Sequence, residues 1–564
     1  MKGAVVVGAV AAAALSLPAA AFAHAALLST TPSASVVVDS SPPQVALVYS
    51  EAVEPRFAIV SVTDAAAHPQ TAGPPHRSPA NADELDVPLK HLRQGWYLVV
   101  WRVISVDGHP VRGAFTFAVG PNEGPAPQFK IPSLSETAAT PQLVTARWIV
   151  FLSLMAAIGI FVLRIAVVRP LHGAPRALTV AFWVALALAL VAVPVYTLLA
   201  TAEFALRSFW SLDALVPLMR TSAFGRGYLD LELLLALFAV AAGVALWVDR
   251  PDRERRSVAE LLALCGAALA AGAVLLVPGT AGHAAQTAPR PLALALDWLH
   301  LLAGSLWIGG LIGLLVLWRS LPATRRLAGL IVCVPRFSNL AFTSVIVLFG
   351  TGVGASILHL PTLASLWQTS YGQAIIVKAS LLGCAILVAS GNLLRTVPAL
   401  RGSEPPMSAA VLLRRLVSVE VLLVAAAIAV AAVLSSLPPP PKALASIGAA
   451  SAHTGPGPVR QVLNEHGYRL EFHVTPNRAA APNEFAVRID HGGRPVGGAD
   501  VTATVTMLDM EMQQQSYKLS EASPGLYEHS APALVMVGHW GLSFAIAPQG
   551  GTPFTVLLVD RANG

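Results

Sequence analysis

The sequence predicts a membrane α-helical bundle of eight transmembrane helices, flanked by two extracytoplasmic all-β sandwich domains. Of the residues, 55% are hydrophobic and only 12% are charged, whereas about 25% of a soluble globular chain is charged. Between residues 143 and 436, eight apolar segments are long enough to span a bilayer. The segments on either side are rich in β-branched and aromatic residues with strand-like alternation.

Residues 1–23 are predicted to be a signal peptide. Lys2 precedes a short apolar run that ends in Ala21-Phe22-Ala23, a small-residue cleavage signal. An uncleaved anchor helix is the alternative. Cleavage after Ala23 would make His24 the mature N-terminus and would give it a free α-amine.

Two β domains are predicted outside the membrane segment. Residues 24–120 contain short strand patterns interrupted by proline and glycine, which is typical of a sandwich or barrel. Residues 121–142 form a proline-punctuated linker, and 437–459 form a second linker. Residues 460–564 return to strand patterns. The predicted strands are 45–49, 57–62, 96–104, 468–475, 485–489, 501–507 and 542–545.

The membrane domain is predicted over residues 143–436. Arginine is concentrated in the odd-numbered loops, which the positive-inside rule places in the cytoplasm. Both termini then lie outside the cytoplasm, which agrees with the signal peptide. The predicted location of the helices is the cytoplasmic membrane of a bacterium. The net charge of +6 comes mainly from arginines in the loops between apolar segments, where membrane topology explains them. The expected partner is therefore the bilayer and not nucleic acid. The predicted spans are 143–168, 177–201, 228–248, 257–278, 291–317, 337–358, 373–394 and 411–436.

The first candidate site combines His24 with Asp107 and His109. Two imidazoles, an α-amine and a carboxylate form the tetragonal N,O set that Cu(II) prefers. The chain's three cysteines lie in or beside the apolar middle, so a site outside the membrane has no thiolate ligand. Taken alone, Asp107-Gly108-His109-Pro110 is also typical of a hairpin turn with exposed polar residues.

Residues 24–120 resemble the CopC family of periplasmic copper-binding domains. The resemblance implies Cu(II) bound by the His24 amine and imidazole, Asp107 and His109, with Glu51 in the place of an acidic residue close to the site in some members. The methionine-rich loop that gives some members a Cu(I) site is absent. The matching residues are His24-Ala25, Tyr49–Val53, Gly95–Tyr97, Trp101–Val103 and Ser105–Gly113.

The second candidate site lies in the membrane. Asp297 and His300 are three residues apart and share one helix face, about two to three turns below the outer end of the fifth span. Ionisable residues at such depth usually face the bundle interior or an aqueous cavity. A structural pair between the two side chains is the alternative.

Residues 143–436 are similar to the CopD family of copper-resistance membrane proteins. The resemblance implies copper handling by His283 and His300, with His359 as a further candidate. Lys378 and Glu420 are expected to make interhelical pairs or to snorkel. The matching residues are Gly282–Ala284, Asp297–His300, Trp307–Gly310, Arg336–Ser338, Tyr371-Gly372, Lys378, Asn392 and Arg395.

The third candidate site lies in the C-terminal domain. Met510, Met512, Met536 and His539 fall in a short interval together with Met507, and thioethers select Cu(I). Methionine that fills gaps in a β core is the alternative. Residues 460–550 resemble the YtkA-like family, which often accompanies such membrane units.

These features predict a copper-binding membrane protein that captures Cu(II) outside and moves copper across the membrane, with uptake favoured over export. Cu(I) is the form considered for the membrane and tail sites. An extracytoplasmic copper chaperone is the expected protein partner. No enzyme is predicted, and the sequence lacks a Walker A motif. The alternatives are copper sequestration, resistance or sensing without transport, and a membrane redox protein with copper or haem.

The N-terminal site makes a spectroscopic prediction. The 24–120 domain with copper should give a tetragonal Cu(II) signal, because the amine and both imidazoles supply equatorial nitrogens. An extra residue before His24, or His109→Ala, should abolish that signal in electron paramagnetic resonance. A signal that persists after the amine is blocked would refute the N-terminal ligand.

Overall fold

The computed structural model describes residues 27–33, 36–49, 52–104, 110–121, 140–171, 176–205, 207–221, 223–253, 255–280, 282–401, 406–437, 439–440, 450–479, 481–508, 514–535 and 538–563. The chain divides into two compact units, one built from the long helices and one that contains the strands at both ends of the sequence. This arrangement confirms the predicted fold class of a helical middle between two β domains.

The N-terminal β domain is a sandwich of two four-stranded sheets. Inward-facing side chains of the two sheets form its core, with Trp101, Phe115 and Phe117 at most 1% exposed. One sheet has the order β1 (Leu27–Thr31), β3 (Gln44–Tyr49), β6 (Glu84–Pro88), β5 (His76–Arg77). The other has the order β2 (Val37–Val38), β8 (Pro110–Val119), β7 (Gly95–Ile104), β4 (Ile59–Asp64).

The middle of the chain is helical. Among the described residues, eight helices are long and apolar enough to cross a membrane, which is the number predicted for the middle of the chain. The sixth begins at Ala323, well before the predicted residue 337, because its first turns are polar but helical. The helices are α1 (Pro141–Val162), α2 (Arg176–Ala205), α3 (Leu212–Thr221), α4 (Ala223–Val248), α5 (Val258–Thr280), α6 (Arg290–Ser320), α7 (Ala323–His359), α8 (Ser365–Gln368), α9 (Ser370–Gly391), α10 (Val397–Arg401) and α11 (Met407–Leu434).

Two glycines let α1 and α6 approach each other closely. A Cβ atom at Gly159 would lie 2.0 Å from the Ser305 carbonyl oxygen, and one at Gly309 would lie 2.5 Å from the Gly159 Cα. Helices in lipid associate through close packing and not through the hydrophobic effect, so small residues mark their tightest contacts. The fifth span, which is α6, is accordingly the most enclosed, with 67% of its apolar segment buried.

A buried arginine connects the first and last membrane helices. The Arg147 guanidinium on α1 donates to the Tyr196 hydroxyl from Nε at 2.8 Å and from Nη2 at 2.6 Å. Its Nη1 donates to the hydroxyl oxygens of Ser435 and Ser436, which follow α11. Because a cation in the bundle is costly unless its donors are satisfied, this network fixes the two chain ends of the bundle together.

The C-terminal β domain is a continuous ladder of ten strands. The Phe472 ring on one half of the ladder contacts the Phe544 ring on the other, with 4.9 Å between centroids, so the sheet folds back on itself around a shared core. The order is β10 (Val459–Glu465), β11 (Tyr468–Thr475), β12 (Asn483–His491), β16 (Leu526–Ala531), β15 (Gln515–Ser523), β14 (Asp500–Met507), β17 (Gly538–Ala547), β18 (Phe554–Ala562), β9 (Ala452–Thr454), and β13 (Arg494–Pro495) pairs with β12.

The two β domains touch each other within their unit. The Ala114 amide on β8 donates to the Val535 carbonyl at 2.8 Å, and buried side chains of both domains form one continuous hydrophobic cluster. Ala114 follows the hairpin between β7 and β8, and Val535 lies in the segment between β16 and β17. The contact therefore joins the neighbourhoods of two candidate copper sites.

The contact between α1 and α6 makes a stability prediction. Gly309→Val should lower the free energy of unfolding by about 1–3 kcal/mol, since the new side chain must push the two helix backbones apart. Thermal unfolding of the detergent-solubilised protein measures the effect. Gly266→Val is the matched control, because a Cβ at Gly266 meets nothing within 4 Å. Equal losses in both variants would contradict the close-packing explanation.

Candidate metal centres

The predicted Cu(II) ligands His24, Glu51, Asp107 and His109 lie outside the described residues, but the strands that lead to them are described. Leu27 at the start of β1 pairs with Tyr49 at the end of β3. Ile104 at the end of β7 pairs with Pro110 at the start of β8. The first pair brings the flanks of His24 and Glu51 to one end of its sheet. The second pair brings together the two flanks of the hairpin that carries Asp107 and His109.

An aromatic contact between the two sheets places these strand ends at the same end of the sandwich. The Tyr49 and Trp101 rings meet edge to face, with 5.8 Å between centroids. Tyr49 immediately precedes the Ser50-Glu51 segment in the sequence. Trp101 lies three residues before Ile104, the last residue of β7. The topology therefore brings the flanks of all four predicted ligands together.

Two buried polar atoms at this end have no hydrogen-bond partner in the described part of the domain. They are the Tyr49 hydroxyl and the Trp101 indole N–H. Burial raises the pKa of Tyr49 well above its usual value, so the phenol is neutral. Buried polar atoms rarely stay unpaired, and these two lie beside the segments that carry the predicted ligands.

In the membrane domain, both ring nitrogens of His300 on α6 have partners. Nδ1 lies 2.9 Å from the Thr351 hydroxyl on α7, and Nε2 lies 3.4 Å from the Lys378 ammonium on α9. The Thr351 hydroxyl donates its only hydrogen to the Val347 carbonyl at 2.7 Å, so it accepts from His300. The proton of His300 is therefore on Nδ1, and the Nε2 lone pair faces Lys378.

The sequence did not point to Thr351, because one threonine among apolar residues carries no signal of its own. Its effect is that of an outer-shell partner, which fixes the tautomer and orientation of a histidine and leaves one nitrogen free to bind a metal. Lys378 forms the interhelical contact that the sequence predicted for it. Glu420 on α11 does the same, since the Asn392 side-chain amide donates to its carboxylate.

Asp297 and His300 do not bond to each other. The Asp297 carboxylate lies against α5, where a Cβ atom at Gly279 would be 2.6 Å from Oδ2, and it attracts the Lys378 ammonium. The structural pair considered from the sequence is therefore not formed. What the fold brings together instead is a triangle of side chains, Asp297 and His300 from α6 and Lys378 from α9.

The other two histidines of the proposed membrane path lie near the outer ends of the helices. His283 begins a short 3₁₀ turn, His283–Gln286, between α5 and α6, and its side chain is outside the described atoms. His359 ends α7, and its Nε2 lies 3.2 Å from the Thr287 hydroxyl while its Nδ1 donates to the Ala355 carbonyl at 2.7 Å. His359 thus ties the turn to the sixth span.

Over the described ranges, no three His, Cys, Asp or Glu side chains are grouped to hold a metal ion. His300 is the only nitrogen ligand of its triangle, and Asp297 would supply an oxygen.

In the C-terminal domain, Met510, Met512 and Met536 lie outside the described residues. The strands that flank them end side by side, because Met507 on β14 pairs with Trp540 on β17 and the Leu508 amide donates to the His539 carbonyl at 2.7 Å. His539 therefore lies at the same end of the domain. Met507 is 2% exposed and belongs to the core, as the packing alternative expects for that methionine.

Three family models match the chain in order. The CopC domain matches residues 27–120, copper resistance protein D matches 331–434, and the YtkA-like family matches 463–545. The second match covers the last three membrane helices, which carry Lys378 and Glu420, while His283 and His300 precede it.

Two relatives and one solved structure are similar to the chain. The copper transport protein CutJ of Bacillus subtilis (strain 168) is 26% identical over 93% of each chain. Protein YobA of Escherichia coli (strain K12) is 36% identical over 17% of this chain and 80% of its own length. The crystal structure of CopC from Methylosinus trichosporium OB3b is 32% identical and covers 18% of this chain and 99% of that chain, with a TM-score of 0.17.

The fold and the matched domains define a multi-pass membrane protein that handles copper. It carries matches to the CopC domain, copper resistance protein D and the YtkA-like family in this order along one chain.

The Thr351 contact makes a binding prediction. Thr351→Val should weaken Cu(I) binding at His300 by about 10–100-fold, because the tautomer with a free Nε2 loses its support. Competition with a colorimetric Cu(I) chelator on the purified protein measures it. Thr351→Ser keeps the hydroxyl and should bind as the parent does. If the valine variant binds as tightly as the serine variant, Thr351 does not orient His300.

Proposed function

We propose that the protein captures Cu(II) outside the cytoplasm and moves copper inward across the cytoplasmic membrane. The observation that carries the proposal is similarity over 93% of both chains to a copper transport protein, a match that includes the β domains as well as the helices. A sequestration protein would not need eight membrane helices with buried ionisable side chains.

Capture takes place in the N-terminal domain. The His24 amine and imidazole, Asp107 and His109 bind Cu(II), and Glu51 adds a negative charge beside them. This assignment of ligands is supported by the ends of β1, β3, β7 and β8, which converge at one end of the sandwich. The α-amine titrates near neutrality, so it binds copper without a large proton cost.

The route of copper through the membrane domain is inferred from the positions of polar side chains along the helices. His283 and His359 lie near the outer ends of their helices, His300 lies deeper, and the Glu420–Asn392 pair lies on the last two spans. An extracytoplasmic one-electron donor such as a cellular thiol reduces the captured Cu(II) to Cu(I) before it enters the helices. Cu(I) is the form that passes, because a monovalent ion costs less to desolvate and accepts few ligands. The methionines and His539 of the tail bind the same ion outside the membrane.

The remaining parts of the proposal follow from topology. Arginine-rich odd loops face the cytoplasm, so both β domains face outward, where an extracytoplasmic copper chaperone delivers the metal. No covalent chemistry is assigned to the protein: it is a transporter and not an enzyme. Copper binding in the cytosol or a proton gradient supplies the driving force.

Copper accumulation tests the direction. Cells without the protein should contain less copper under limiting copper than cells that express it, since capture and passage feed the cytosol. His109→Ala and His300→Ala should each lower accumulation to the level of the deletion, as measured by mass spectrometry of washed cells.

His68→Ala is the matched control for His109→Ala. His68 contacts Asp64, which pairs with Tyr97 at the other end of the sandwich from the β7–β8 hairpin, so its loss should leave accumulation unchanged. Higher copper content and poorer survival of the deletion strain on copper would refute uptake and support resistance. A Soret band in the purified protein would support the redox alternative.

A further inference from the structure

The Lys378 ammonium occupies the side of His300 on which a metal would bind. His300 Nδ1 is committed to Thr351, so Nε2 is the only nitrogen that can bind copper. The Lys378 Nζ atom lies 3.4 Å from that nitrogen. A metal bonded to imidazole sits about 2.0–2.1 Å from the nitrogen along the same lone pair. The ammonium and a copper ion therefore cannot occupy Nε2 together.

The helix that carries Lys378 is packed loosely. Only 6% of the apolar segment of the seventh span is buried inside the protein, against 67% for the fifth span, which carries His300. Lys378 reaches His300 with its four-carbon stem, and such a stem can carry its ammonium over several ångströms by rotamer changes alone. Lys378 can therefore change position by side-chain rotation, whereas the His300 ring has a contact on each of its nitrogens.

Asp297 offers the ammonium a second position. It lies one turn before His300 on the same face of α6 and attracts Lys378. No hydrogen bond or ion pair shorter than 4.0 Å joins Asp297 to Lys378 in the described structure, so this position is vacant while the lysine contacts His300. A cation that enters at Nε2 would repel the ammonium towards the carboxylate.

We propose that Lys378 is a movable internal cation that blocks His300 Nε2 in the metal-free protein and moves to Asp297 when copper binds. The exchange places one cation on the histidine in each state, and the carboxylate balances the displaced charge. It makes copper occupancy depend on the position of a side chain from α9. This inference rests on the proposed function, since it assumes that copper reaches His300.

The test measures Cu(I) binding to the full-length detergent-solubilised protein by competition with a colorimetric Cu(I) chelator under reducing conditions. Lys378→Leu keeps an apolar side chain, removes the charge and adds no metal ligand, and it should tighten binding by about tenfold or more, because no cation competes for Nε2. Lys378→Arg keeps the charge and should not tighten binding. Asp297→Asn should weaken binding by about tenfold, because the displaced ammonium loses its partner.

A double-mutant comparison assigns these effects to His300 and not to the methionines of the tail. In the His300→Ala background, Lys378→Leu and Asp297→Asn should have no effect on Cu(I) binding. If Lys378→Leu fails to fold, Lys378→Gln, which also removes the charge, replaces it. All variants are compared only where their thermal unfolding matches that of the parent protein.

The two ways of failing are distinct. If His300→Ala lowers Cu(I) binding and accumulation but Lys378→Leu binds no tighter than the parent, the lysine does not compete with copper and this inference is wrong. If His300→Ala changes neither binding nor accumulation, copper does not pass His300, and the membrane part of the proposed function falls with it.

Discussion

The close contact of α1 and α6 at Gly159 and Gly309 is the constraint on which the membrane domain depends. Lipid chains are as apolar as leucine, so these helices gain little from hiding apolar surface and must gain from backbone-to-backbone packing. The contact makes α6 the most enclosed span and therefore a rigid support. His300 lies on the same helix, and its ring is held in one tautomer by Thr351.

The seventh span is held by a different kind of interaction. Its apolar segment is almost unburied, and polar contacts from Lys378 to His300 and from Asn392 to Glu420 connect it to the rest of the bundle. In a low-dielectric environment such contacts are strong while they last, yet each can be exchanged for another polar partner. A well-buried fifth span and a sparsely buried seventh span thus meet at the contact between His300 and Lys378.

Outside the bundle, strand pairing determines where copper could bind. The four segments with predicted Cu(II) ligands leave one end of the N-terminal sandwich, and the Tyr49–Trp101 contact holds its two sheets in register there. The bond between Ala114 and Val535 brings the C-terminal domain to the adjacent edge. Val535 directly precedes residue 536 in the sequence, and sequence patterns do not encode such a contact between distant backbone segments.

The sequence by itself determined the architecture, because hydrophobic length and strand alternation are local properties: eight spans, two β domains and the histidines worth testing follow from residue order. Contacts between distant residues were decided only by the tertiary structure. Asp297 and His300 share a helix face, yet they bond to different partners, since α7 and α9 supply Thr351 and Lys378 to the imidazole. Spacing on one helix shows which side chains point the same way. What faces them depends on how the other helices pack.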